Sequence, residues 1–112
     1  MDASARNLFA LLRPHIQELG SDVVELPNQP SVVYAVYDFF LEIIPRKHRL
    51  TLLLNLDFDS VSDPSGKASD ASDYAFVVNS TETGGVLFSF DALADLDAAM
   101  FLIRQAYEGV AE

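Results

Sequence analysis

Apolar residues recur along this chain with two different periods, and the switch between them predicts where helices end and strands begin. Leu8, Leu11, Leu12, Ile16 and Leu19 follow helical spacing, which predicts an N-terminal amphipathic helix of about four turns with Gly20 as its C-cap. Pro14 lies inside that stretch and is expected to bend the helix or divide it, because its ring removes an amide donor. Val23, Val24 and Leu26 then form a short strand candidate, closed by Pro27-Asn28-Gln29-Pro30. From Ser31 the pattern becomes β-like: Val32–Tyr37, Phe39–Ile44 and Leu50–Leu56 are runs rich in β-branched, aromatic and leucine side chains. Only Asp38 separates the first two, so either a very tight reversal or one long bent strand satisfies the pattern. In the third run Leu50, Leu52, Leu54 and Leu56 share one face, while Thr51, Leu53 and Asn55 make the other a mixed face suited to solvent or a partner.

Residues 57–73 break the pattern with five Asp, five Ser and Pro64-Ser65-Gly66. So polar a segment is expected to be mobile in its middle or held by local Asx and Ser turns. Strand periodicity resumes at Tyr74–Val78 and Val86–Phe90, joined by a turn ending in Gly84-Gly85. The chain then closes with a helix, for which Asp91 is the expected N-cap and Gly109 the expected C-cap. Leu93, Leu96, Met100, Ile103 and Tyr107 make its buried stripe, which Phe101 and Leu102 broaden. The expected fold is α+β: one domain over residues 1–112, with an antiparallel sheet of about five strands and the N- and C-terminal helices packed on one face.

Composition narrows the chemistry. Half of the 112 residues are hydrophobic, and there is no cysteine, so disulfide, thiolate and cysteine-ligated metal chemistry are excluded. No signal-like start and no long apolar run is present, which predicts a soluble cytoplasmic protein. The net charge is -10, a field that repels phosphate backbones at long range. Against it, three of the seven Lys and Arg residues crowd into Pro45-Arg46-Lys47-His48-Arg49. That run reads first as a solvated hairpin tip, and second as a contact in which Arg46, Lys47, His48 and Arg49 bind an acidic partner or a phosphate group.

Other chemistry is weaker. Asp57, Asp59 and Asp63 resemble a calcium loop only in part, since Val61 falls on a ligand position, the turn glycine is missing and Ala68 replaces the terminal Glu. No catalytic residues, metal site or cofactor are assigned. The strand aromatics outnumber what one helix-covered face can bury, so Tyr34, Tyr37, Phe39, Phe76 and, on the last helix, Phe101 are the interface candidates.

The segments Pro45–Asp57, Asp63-Pro64-Ser65-Gly66-Lys67-Ala68-Ser69-Asp70 and Leu102–Glu108 together resemble the domain of unknown function 5655 family, over roughly residues 8–108. The resemblance implies a compact helix, antiparallel sheet, helix module, found alone or fused to larger proteins. Some members are labelled predicted transport proteins and others are associated with DNA-related machinery. It implies no catalytic residues. Members usually carry basic residues in the strand where this chain has Val32–Asp38, and a Gly-His-Trp-Gly-like segment where it has Asn79–Gly85. The reading that results is a non-enzymatic protein-interaction or accessory module that self-associates, with nucleic-acid or anionic-ligand binding through residues 46–49 as the alternative.

Overall fold

The computed structural model describes residues 3–28, 31–71 and 85–111. Helix α1 (Ala3–Gln17) is followed by strands β1 (Val24–Asn28), β2 (Ser31–Ala35), β3 (Phe39–Pro45), β4 (Leu50–Leu54), β5 (Ser69–Asp70) and β6 (Val86–Phe90), then helix α2 (Leu96–Val110). The strands form one antiparallel sheet in the order β1-β2-β3-β4-β6-β5. The α+β class is as expected, with six strands among the described residues rather than about five. Two causes account for the count. Residues 36–38 make the tight reversal rather than a bent strand, and the acidic loop contributes the two-residue β5. The Tyr74–Val78 run lies outside the described residues.

Strand register assembles the core. Tyr34, Leu41, Leu54 and Val86 lie side by side across β2, β3, β4 and β6, and Val32, Ile43, Leu52 and Phe88 form the next row. Leu50 and Phe90 continue the same face. Both helices press on it: Ala5, Leu8, Leu12 and Ile16 from α1, and Ala99, Met100, Leu102, Ile103 and Ala106 from α2, join these strand residues in one cluster. A register shift places one extra residue of β3 opposite the Tyr34/Ala35 step. This bulge lets consecutive side chains share a face, so Phe40 joins Leu41 on the helix side and meets Tyr107 edge-on at 5.6 Å.

The opposite face is also buried. Val33, Phe39, Leu53 and Ala71 form a second cluster, and Glu42 and Thr51 are nearly inaccessible. The mixed face of β4 is therefore not the solvent-facing surface expected of it. As a central strand β4 is buried at all five positions, which alternation alone does not reveal because a Thr or Glu is tolerated inside once its oxygen is bonded. Ser31 Oγ donates to Glu42 Oε2 at 2.7 Å, and the Thr51 and Ser89 hydroxyls pair at 2.9 Å.

The helix termini also depart from expectation. Helix α1 runs unbroken through Pro14, since Leu12 and Ile16 on either side of it are fully buried and tertiary burial outweighs one missing hydrogen bond. It ends at Gln17, and Gly20 does not occupy the positive-φ position of a capping glycine. What Gly20 supplies is space: an added Cβ would overlap the Tyr107 hydroxyl. Asp91 is not the cap of α2 either, because a 3-10 turn over Leu93–Asp95 precedes the helix. Asp95 holds the N-cap position without a side-chain cap bond and pairs instead with Lys67 at 2.7 Å. Gly109 lies within α2, whose C-cap is Ala111. Leu93, assigned to the buried stripe, is 63 % exposed.

The acidic loop is held by the Asx and Ser turns that were one of its two expectations. Asp63 accepts from the Ser65 amide and hydroxyl and the Ala68 amide, and Gly66 takes the positive-φ position at 70°. Gln105 of α2 anchors the loop by exchanging two 3.0 Å bonds with Ser62.

Tyr107 meets Phe40 edge-on, which limits how far its ring can move from residue 20. Gly20→Ala is expected to cost about 1–3 kcal/mol. Combining it with Tyr107→Phe should recover part of that loss in thermal or urea unfolding.

Candidate functional site

The basic run sits where expected, at the tip of the β3–β4 hairpin. Pro45 pairs with Leu50 across the two strands, and the Arg46 amide donates to the Arg49 carbonyl at 2.9 Å, closing a turn that brings the two arginines together. Arg46, Lys47, His48 and Arg49 are all exposed. The Arg46 guanidinium reaches back to Thr51 Oγ1 at 3.3 Å, which is itself paired with Ser89. One end of the sheet thus carries a cationic tip with two hydroxyls at its base, an arrangement that offers donors to an anion without enclosing one.

The aromatic candidates separate into two groups. Tyr34 and Phe39 do not reach the surface: Tyr34 is wholly buried under α1, and Phe39 belongs to the cluster on the other face. For Phe39 the bulge in β3 decides this, by sending Phe39 and Phe40 to opposite faces that simple alternation cannot assign. Tyr37 and Phe101 are accessible, at 81 % and 44 %. Phe76 lies outside the described residues. Tyr37, in the reversal between β2 and β3, borders a shallow groove of about 400 Å³ with Asp22, Val24, Leu26, Ala35 and Val36. Val24 and Leu26 of the edge strand are half exposed there. Phe101 borders a hollow of about 300 Å³ between the helices, lined by His15, Leu96, Asp97, Met100 and Arg104.

One polar cluster was not anticipated. Glu25, on β1, lies beside Tyr34 in the register and on the helix face of the sheet. Its carboxylate accepts a fork from Arg13 of α1, Nε to Oε2 at 2.9 Å and Nη2 to Oε1 at 2.7 Å, and a bond from the Tyr34 hydroxyl at 2.5 Å. The Arg13 bond holds the Glu25 carboxyl below the ordinary carboxylate value; desolvation opposes this, and the Tyr34 bond reinforces it. Burial, then the bond to Glu25, pushes the Tyr34 phenol upward, so it stays protonated and donates. The available signal was the single acid in Val24-Glu25-Leu26, but its partners come from 12 and 9 residues away. The cluster ties α1 to the sheet edge, with Gln17 Nε2 also reaching Glu25 Oε2 at 3.4 Å.

Asp63 is likewise occupied. Desolvation works to raise its carboxyl, but the bonds from the Ser65 hydroxyl and from the backbone of Ala68, Ser65 and Lys67 together hold it below its ordinary value. Among the described residues no three His, Asp or Glu side chains converge as a metal site.

A family model described as domain of unknown function (DUF5655) matches residues 1–109. The chain belongs to the DUF5655 family. No curated protein and no solved structure matches it. For this DUF5655 member the family match spans both helices and the whole described sheet, so the fold above is the family domain rather than an appendage to it. Among its described residues no helix is long and apolar enough to cross a membrane.

The Glu25 fork makes stability depend on pH in a defined direction. A carboxyl whose folded pKa lies below its unfolded value of about 4.5 contributes fully above that value, and the contribution is lost as pH falls through the folded pKa. Urea unfolding should therefore show Glu25→Gln less stable than wild type at pH 7, with the gap shrinking toward pH 3.

Proposed function

We propose that this chain is a non-enzymatic protein-interaction module of the cytoplasm, which receives a partner protein at the groove beside Tyr37. The observation that carries the reading is the exposure of Tyr37, Val24 and Leu26 around one shallow depression. Large apolar side chains left together at a surface are characteristic of contact sites, and a tyrosine contributes much contact area at small entropic cost. Asp22 lines the groove and Asp38 adjoins Tyr37. With the chain at a net charge of -10, the partner is one that offers apolar groups among positive charges. Strand addition to β1 is the poorer mode, since Pro27 has no amide to donate and interrupts the edge.

A photo-reactive residue in place of Tyr37, introduced in the cell of origin, should give one discrete protein adduct. The adduct should vanish in a Val24→Asp background and be absent when the same group replaces Asp59. No adduct at position 37, or one indifferent to Val24→Asp, removes the support for this site.

Anion binding through Arg46, Lys47, His48 and Arg49 is the second reading, favoured by the gathering of these four side chains at one exposed tip. It predicts that a labelled single-stranded oligonucleotide binds with an affinity that falls steeply as salt rises. An Arg46→Ala, Lys47→Ala, Arg49→Ala variant should lose that binding, and failure of the wild type to bind at low salt overturns the reading.

A further inference from the structure

The outer surface of α2 carries a pattern used by neither of the sites above. Asp97, Phe101, Arg104 and Glu108 are all exposed, and their spacing of four, three and four residues aligns them in one stripe along the helix. Neighbouring structure leaves this stripe open. The acidic loop grips one flank of the helix end through Lys67–Asp95 and Ser62–Gln105, and α1 reaches the other, where His15 lines the hollow beside Phe101. Asp97 and Arg104 stand about 10 Å apart along the axis, too far to pair with each other.

We infer that α2 is a self-complementary contact through which two copies of this chain associate about a two-fold axis passing near Phe101. In an antiparallel pair of α2 helices crossing at that residue, position 97 of one copy comes opposite positions 104 and 105 of the other. Asp97 then faces the second copy's Arg104, and the symmetry repeats the pair, giving one ion pair on each side of the centre. At the centre the Phe101 ring has a receptor of suitable character, the hollow beside it that His15, Leu96, Asp97, Met100 and Arg104 line. Each copy offers the knob and the hollow together, as a symmetric interface requires. Leu93 and Leu11, 63 % and 45 % exposed, border the adjoining groove between α1 and the start of α2 and extend the apolar surface beyond the ring. A second copy fits better than a foreign helix because acid and base are placed to match their own reflection.

The net charge of -10 on each copy opposes association at long range, so the dimer should tighten as salt rises from very low concentration and screens that repulsion. The surface shares no lining residue with the Tyr37 groove, and the two proposals stand or fall separately.

Sedimentation equilibrium of the full chain tests the inference, with circular dichroism to verify that each variant is folded. Wild type should show a reversible monomer–dimer equilibrium. Phe101→Ala should weaken it by about tenfold or more, the loss typical of a central apolar anchor. Asp97→Arg and Arg104→Asp should each weaken it by setting like charges opposite one another, and a 1:1 mixture of these two variants should form a heterodimer, because every pair is then opposite in sign. The doubly substituted chain should recover self-association, and Tyr37→Ser should leave the equilibrium unchanged. A monomer at every concentration up to about 1 mM, where contacts weaker than about 4 kcal/mol fall, overturns the inference. So does a dimer indifferent to Phe101→Ala, or one for which mixing the two charge variants restores nothing.

Discussion

The central strands β3 and β4, buried on both faces over most of their length, are the constraint from which the rest of the arrangement follows. The row Tyr34, Leu41, Leu54, Val86 sits at mid-sheet between Glu25 on the first strand and Asp70 on the short fifth one. Its apolar middle requires a cover, and the two helices supply it with stripes of complementary width. At its Glu25 end, the edge strand exchanges apolar contact for the Arg13 fork and the Tyr34 hydroxyl, so the boundary of the core is closed by hydrogen bonds rather than by packing. Burial of the second face, with Val33, Phe39, Leu53 and Ala71 gathered there, leaves the middle of the sheet without an exposed surface. Among the described residues the groups open to a partner that are proposed above are peripheral: a hairpin tip, a reversal beside the edge strand, and the outside of α2.

A cationic turn, a shallow apolar groove and a helix stripe are the exposed features on which the proposed contacts rest. Several acids are committed to the fold itself. Asp63 organises its own turn, Asp95 holds Lys67, and Glu25 is saturated by Arg13 and Tyr34. An acidic chain spends several of its carboxylates on architecture and still presents a negative surface to its surroundings.

Legibility varied with the distance over which each feature is decided. The alternation in Leu50–Leu56 and the helical spacing from Leu96 to Tyr107 identified elements correctly, because each pattern reports one face repeated locally. The basic run between two apolar strands was readable as a hairpin tip for the same reason. Tyr34 and Phe39 are buried rather than available: Tyr34 falls on the row the helices cover, and a bulge opposite Ala35 reverses the facing of Phe39, which no periodicity reports. Gly20 looked like a helix stop, but its role is clearance for a tyrosine 87 positions later. Asp91 looked like a cap, although the 3-10 turn after it moves the start of the helix onward.

The sequence by itself determined the family, the α+β class, the order of helices and long strands, and the cationic tip. The family rests on the likeness of its motifs and on the family match over residues 1–109; the others rest on local periodicity, turn chemistry and a charge run, all properties of neighbouring residues. Tertiary structure alone decided that both faces of the central strands are buried, that Glu25 is clamped by Arg13 and Tyr34, and which aromatics reach the surface. Those outcomes depend on register, bulge position and the contact of segments remote in the chain, and such pairings leave no trace in the spacing of residues along it.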